Sequence, residues 1–216
     1  MSGLINQDRQ QHWQAVYQGK GEAQTSWFRP HLDESLRLID KLALAPATPI
    51  IDAGGGRSTL VDDLLARGFH DLTVLDLSIA ALQASRQRLG DRGDSITWIT
   101  GDVTATALPE GRFGLWHDRA VFHFLTDAED RRRYIAQAAG AIRPGGHAIV
   151  ATFAVDGPEK CSGLPVCRYD DASLAAQFAD GFEVVGSSRE LHRTPFATDQ
   201  AFTYVVLRRR VSRENS

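Results

Sequence analysis

Four aspartates and one run of three glycines are the residues whose types and spacing could do chemistry in this 216-residue chain. The glycines stand in "PIIDAGGGRSTL", Pro49 to Leu60, where Asp52 precedes Gly54, Gly55 and Gly56. The other acids are Asp76 in "TVLDLS", Asp102 in "ITGDVT" and Asp118 in "FGLWHDR". A glycine turn lets a ligand press against bare backbone, and a carboxylate accepts hydrogen bonds from hydroxyls, amines and ammonium groups. Twenty residues separate Gly56 from Asp76, the spacing at which an acid takes an adenosine ribose diol. Asp102 is suited to accept from an adenine amine while the Val103 backbone N–H donates to a ring nitrogen. Phosphate is a poor fit to the turn. A dinucleotide fingerprint needs a glycine where Thr59 stands, and no Gly-Lys-Ser/Thr follows for a nucleoside triphosphate.

The elements that must position these acids can be read from hydrophobic period. Residues 6–19 and 32–44 read as helices, the second with Asp33 as a possible cap. Strands at 49–53, 72–76, 95–100, 113–118 and 147–153 then alternate with helices at 58–67, 78–89, 127–142 and 171–179, with no helix between the third and fourth strands. Strand-then-helix repetition predicts an α/β fold: a Rossmann-like doubly wound sheet, mostly parallel, with helices on both faces. The two closing strands, 182–187 and 202–207, have only "SSRELHRTPFATDQ" between them. Without a crossover helix the final strand is expected to run antiparallel. "RPGG", Arg143–Gly146, reads as a helix stop and turn, outside the site. In such a sheet a ligand lies beyond the carboxyl ends of the strands. All four acids fall there, although each alone is more often a turn-former or cap.

Composition narrows the classes. The chain is 43% apolar and reads as one domain, an N-terminal helical lid or annex at 1–45 followed by a core at 46–216. Lysine and arginine total 24 against 27 acids, so the formal charge of -3 offers nucleic acid no footprint. The triplets Arg131–Arg133 and Arg208–Arg210 read as solvated charge. With no signal-peptide core and no run of about 20 apolar residues, a cytoplasmic protein with no membrane partner is expected. Two cysteines, Cys161 and Cys167, are too few for a disulfide framework or a structural zinc, and no metal is expected.

A nucleoside held by Asp76 and Asp102 leaves its 5′ substituent over Gly54–Gly56. If that substituent is the methionine part of S-adenosylmethionine, helix amides near Ser58 favour its carboxylate without any phosphate. "IIDAGGGRST", "TVLDLS", "ITGDVT", "FGLWHDR" and "AIRPGGHAIVATF" resemble, in order and spacing, the successive motifs of class I S-adenosylmethionine-dependent methyltransferases, over roughly residues 48–153. The resemblance implies an enzyme with S-adenosyl-L-methionine as cofactor and S-adenosyl-L-homocysteine as product. It places Asp52 and Gly54–Gly56 around the methionine moiety, Asp76 on the ribose, Asp102 and Val103 on the adenine, and Leu77 against the base.

Methyl transfer is an in-line displacement, so holding the acceptor in geometry and excluding water are the main tasks. "HDRAVFHFL" supplies His117, Asp118, Arg119 and His123 at the mouth. Asp118 binds either the acceptor or the methionine ammonium. Arg119 orients an anion or lowers a thiol pKa, or else pairs with Asp118. His123 takes a proton or is a hydrogen-bonded core histidine. "HWQAVYQGKGEAQTSWF" resembles the segment covering the cofactor in thiopurine and tellurite-type methyltransferases and in those acting on elongation-factor lysines. Trp13, Tyr17, Trp27 and Phe28 are then a lid, or plain core. Asp118-Arg119-Ala120 resembles the thiopurine and tellurite side, which implies a small-molecule acceptor, a thiol or another chalcogen compound. Cys161 and Cys167, with Lys160 and Arg168 nearby, could hold a thiophilic substrate, and His192 and Arg193 are further wall candidates. The alternatives are a protein lysine methyltransferase, a nicotinamide-dependent oxidoreductase, and a non-catalytic cofactor-binding module. The sequence fixes no oligomeric state.

Overall fold

A computed structural model describes residues 2–19, 21 and 24–211, with residues 2–7 described by backbone alone. Before the sheet come α1, Ser2–Gly19, and α2, Asp33–Lys41. The alternating part runs β1, Ile50–Ala53; α3, Leu60–Ala66; β2, Leu72–Asp76; α4, Ile79–Leu89; β3, Thr97–Thr100; β4, Phe113–Arg119; α5, Ala128–Ala141; and β5, Ile142–Phe153. It closes with the short pair β6, Lys160–Cys161, and β7, Leu164–Pro165, then α6, Asp171–Gln177; β8, Phe182–Arg193; and β9, Asp199–Arg209.

Seven strands form one sheet in the order β3-β2-β1-β4-β5-β9-β8. The first five pair in parallel, and β9 runs antiparallel to both β5 and β8, so the expected reversed final strand is present. Successive residues of each strand feed opposite faces, as the two-residue strand period requires. Ile50, Val74, Leu115 and Ile149 join one apolar cluster with Leu36 and Ile39 of α2, Leu60 and Leu64 of α3, and Leu82 of α4. Ile51, Leu75, Trp116 and Val150 join the other with Tyr134 and Ala138 of α5 and Leu174 of α6. The sheet is therefore covered on both sides, which is why β1 and β2 are buried at every position.

Several elements differ from the sequence reading. Strand β8 continues to Arg193 and β9 starts at Asp199, so most of the predicted loop between them is paired backbone and the connection is 194–198 alone. β8 lies at the sheet edge, and Arg189, Glu190 and Arg193 mask the apolar signal in its second half. Arg143–Gly146 begins β5 directly after α5 rather than forming a turn, with the pairing shifted between Phe113 and Leu115. The two-residue strands β6 and β7 fold back on each other within the loop after β5.

Candidate active site

Strand order reverses between β1 and β4: the chain builds outward through β2 and β3 on one side, then returns to build β4 and β5 on the other. A crevice opens at such a point, beyond the carboxyl ends. Here its walls include Asp52, Gly54, Gly55, Asp76, Leu77, Asp102, Val103, His117 and Arg119, together with the aromatics Trp13, Tyr17, Trp27 and Phe28. Neighbouring strands are about 4.8 Å apart, so the rim from β3 to β4 spans about 14 Å. Along it the strand ends present Asp102 after β3, Asp76 on β2, Asp52 on β1, and His117 and Arg119 on β4.

The glycine turn is shaped by the protein's own side chains. Gly54 has φ +73°, and a Cβ there would lie 1.9 Å from Val121 Cγ2. Gly56 has φ +44°, and a Cβ would meet the Tyr17 hydroxyl at 2.8 Å and Asp76 Oδ2 at 2.9 Å. At Gly55 a Cβ would fall 2.5 Å from Asp52 Oδ2. The three glycines thus make room for Val121, Asp52, Asp76 and Tyr17. Helix α3 begins at Leu60 rather than Ser58, and the Leu60 amide donates to the Ser58 hydroxyl at 3.1 Å.

Each acid of the cofactor end has a distinct state. Asp76 Oδ1 accepts from the Ser78 amide at 2.7 Å. Burial first, and the Asp52 charge as a lesser cause, push its carboxyl up to about 7 against the opposing pull of the Ser78 and Gly56 amides. Asp102 Oδ1 accepts from the Thr104 amide and hydroxyl, both at 2.7 Å. Its Oδ2 is buried with no hydrogen-bond partner among the described residues, as is Asp52 Oδ2. Two orphaned carboxylate oxygens flanking a half-neutral acid fit a ligand that donates from an amine at one end, a diol in the middle and an ammonium group at the other. S-adenosylmethionine has that donor order, so the residues present fit it.

The opposite end is apolar around Arg119, whose neighbour Glu190 is also paired with Arg29. Arg119 lies over the Phe202 ring, 4.3 Å from its centroid. Its Nε donates to the Tyr204 hydroxyl at 3.1 Å and its Nη1 to the Trp27 carbonyl at 3.3 Å. Tyr204 in turn donates to Glu190 Oε2 at 2.7 Å. Arg119 Nη2 makes no hydrogen bond to any described residue and stands 3.8 Å from Glu190 Oε2. Phe124, Phe153, Cys161 and Phe202 complete this end of the cleft.

Two residues expected at the mouth lie behind it. Asp118 is fully buried, accepting from the Val121 and Phe122 amides at 2.8 and 3.1 Å and from the Tyr134 hydroxyl at 2.6 Å. Full burial and these three donors commit its carboxylate to the turn after β4 and to α5, away from the cleft walls, and it does not pair with Arg119. His123 is also fully buried; its Nδ1 accepts from the Phe153 amide at 3.3 Å, and burial pushes the imidazole down to about 3. It is a core histidine, not a base. Strand period explains Asp118: His117 and Arg119 face the cleft, and the residue between them must face α5.

The remaining candidates sort cleanly. Cys161 lines the cleft, whereas Cys167 packs with the cluster on the other face of the sheet, so they do not form a pair for a thiophilic atom. His192 is buried and its Nε2 donates to the Ser26 carbonyl at 2.7 Å, holding the Trp27 segment from behind rather than forming a wall. Arg193 is exposed and paired with Asp199. Among the described residues no helix is long and apolar enough to cross a membrane, and no cluster of His, Cys, Asp or Glu could hold a metal. Sequence reasoning missed Ser35, Phe153, Phe202 and Tyr204, which reach the site from elements distant in the chain.

A family profile described as a methyltransferase domain matches residues 50–146. The chain is 23% identical over 149 residues to the eEF1A lysine and N-terminal methyltransferase of Mus musculus, covering 66% of this chain and 21% of that protein. It thus spans about a fifth of that relative's length. Among solved structures, a protein described for the conversion of a disulfide bond into a thioacetal group during echinomycin biosynthesis superposes with TM-score 0.73 at 22% identity, over 93% of each chain. The Burkholderia thailandensis 1,6-didemethyltoxoflavin-N1-methyltransferase, solved with that compound and S-adenosylhomocysteine, superposes with TM-score 0.69 at 20% identity, over 97% of this chain and 89% of that one.

Proposed function

We propose, from the premise that residues 50–146 carry the methyltransferase domain of the class I S-adenosylmethionine-dependent enzymes, that the chain methylates a small molecule through a soft or anionic atom such as a thiolate. S-adenosylmethionine supplies a methyl group on a sulfonium. Every other task falls to the chain. Asp76 accepts the ribose diol, Asp102 Oδ2 and the Val103 backbone take the adenine edge, Leu77 lies against the base, and Asp52 Oδ2 takes the methionine ammonium beside Gly54–Gly56. His117 supports Asp52, while Trp27 closes over the cleft from the N-terminal lid within the single domain. Arg119 Nη2 is the donor at the acceptor end.

The observation that carries this reading is the charge of that end: a nearly buried guanidinium with an open donor, and no uncommitted carboxylate beside it. Asp52, Asp76 and Asp102 belong to the other end, and Glu190 is held by Arg29 and Tyr204. A lysine ammonium would meet a like charge and find no acid to receive its proton. A thiol would be driven toward thiolate by the same cation and need no general base. The two solved relatives whose descriptions name a disulfide and a heterocycle support a small acceptor. The named activity of the eEF1A relative favours the second reading, a protein lysine.

The test is release of S-adenosylhomocysteine with a panel of thiols, selenide, heteroaromatic amines and lysine peptides. Turnover of thiols or selenide, lost in Arg119→Met, is expected. Turnover confined to lysine peptides would establish the second reading instead.

A further inference from the structure

Ser35, on the first turn of α2 and fully buried, is linked to the cleft by two short steps. Its hydroxyl lies 2.9 Å from His117 Nε2, and His117 Nδ1 lies 2.7 Å from Asp52 Oδ1. Serine, histidine and aspartate in this order also build a hydrolytic triad, but here the direction is reversed: the acid lines the cleft and the hydroxyl is in the core, beyond reach of any substrate. A carboxylate only accepts, so Nδ1 carries the hydrogen, and Nε2 and the Ser35 hydroxyl complete the chain as a hydrogen-bonded pair.

The consequence is orientation. Asp52 and His117 are directly opposite in the parallel register of β1 and β4, so their side chains emerge abreast. The imidazole ties down Oδ1, Gly55 leaves the space that Oδ2 needs, and Oδ2 is left without a partner among the described residues. A carboxylate tethered through one oxygen, with the other facing a cleft, suits a cationic nitrogen at a fixed position.

We infer that Ser35 and His117 are positioning residues that hold Asp52 so that Oδ2 meets the amino group of the cofactor's methionine part. This rests on the assignment of Asp52 under Proposed function. The test compares two ligands by calorimetry: S-adenosylhomocysteine, and 5′-methylthioadenosine, which has the same nucleoside and thioether but no amino acid. Ser35→Ala is expected to weaken the first about tenfold and leave the second within about twofold, because only the first reaches Asp52. In an Asp52→Asn background, Ser35→Ala is expected to add no further loss.

Equal weakening of both ligands, or of neither, would overturn the inference. The two levels fail separately. If Asp52→Asn leaves S-adenosylhomocysteine affinity unchanged, the assignment of Asp52 is wrong. If Asp52→Asn weakens binding and Ser35→Ala does not, only the relay is wrong. Should Ser35→Ala not fold, Ser35→Cys, which keeps the volume and weakens the hydrogen bond, is expected to give the same ligand-selective loss in smaller measure, and loss of both ligands alike would refute the relay.

Discussion

At the scale of single residues, the site is built from groups held in states they would not choose in water. Asp76 is the clearest, with its carboxyl raised to about 7 chiefly by burial. A raised value means that the folded chain binds this proton more tightly than the unfolded one. Its contribution to stability is therefore greatest below the ordinary carboxylate range and is lost as pH rises toward 7. Asp76→Asn removes that loss, so the ligand-free variant should melt several degrees above the parent at pH 8, with the gap closing near pH 4 by differential scanning fluorimetry. Ligand binding has the opposite sign. Diol hydroxyls favour the ionised acid, so S-adenosylhomocysteine should bind more weakly as pH falls below about 7, by up to about tenfold per unit in titration calorimetry; a flat profile would remove Asp76 from the ribose. Ala120 shows a second local cost. It has φ +73° in the turn that carries the chain from Arg119 to Val121, a region L-residues avoid by about 1 kcal/mol. Ala120→Gly is expected to raise stability by several tenths of a kcal/mol in urea denaturation while slackening the acceptor end, seen as a higher KM for the acceptor.

At the scale of elements, α1 acts as a strap across the crevice. The Gln14 side-chain oxygen accepts from the Ser78 hydroxyl at 2.9 Å and the Ala80 amide at 3.3 Å, at the start of α4, and Arg9 pairs with Asp130 of α5. Between these ties Trp13 packs edge-on against Phe124 and Trp27 and lies tilted against Tyr17, at centroid separations of 5.0, 5.9 and 6.1 Å. Such ring pairs contribute about 1 kcal/mol each beyond the area they bury. Trp13→Ala should therefore speed S-adenosylhomocysteine dissociation about tenfold in stopped-flow fluorescence, with a smaller effect on association. An unchanged dissociation rate would return these aromatics to plain core. The aromatics that line the cleft, Trp13, Tyr17, Trp27 and Phe28, were legible in "HWQAVYQGKGEAQTSWF", as were β1 and β2, because burial on both faces gives apolar runs that end at an acid or a glycine. The second half of β8 and the first residues of β9 were not, since Arg189, Glu190 and Arg193 break the apolar alternation of the edge strand and Asp199 and Gln200 open its neighbour with polar residues, so both read as loop. Asp118 was misplaced for a different reason. Strand-end position located it correctly, but two-residue alternation already put it on the opposite face from His117 and Arg119. Ser35, Phe202 and Tyr204 left no local signal, because only the sheet order brings α2 and β9 to the ends of β1 and β4.

At the scale of the whole molecule, that sheet order divides the labour. The strands that build outward from β1 toward β3 carry acids at or just after their carboxyl ends, and on the other side β4 and β5 end in Arg119 and Phe153, with Phe202 near the start of antiparallel β9. A ligand lying across the switch point therefore bridges both halves of the sheet and the strap above them. Binding should act on the entire cooperative unit rather than on one loop. At a concentration 100-fold above its Kd, a ligand specific for the folded state adds about 2.7 kcal/mol, and for a chain of this length that corresponds to an upward shift of about 5–10 °C. S-adenosylhomocysteine should move a single unfolding transition by that amount, with far-ultraviolet ellipticity and tryptophan fluorescence shifting together, because Trp13, Trp27, Trp98 and Trp116 sample the strap and both faces of the sheet. NADH at the same concentration should leave the transition in place, since neither the turn ending at Thr59 nor the apolar walls beyond Arg119 can hold a pyrophosphate. A shift in fluorescence that preceded ellipticity would mean that the strap opens independently of the sheet. A response to NADH in place of S-adenosylhomocysteine would mean that the donor order read from Asp102, Asp76 and Asp52 had been assigned to the wrong nucleoside.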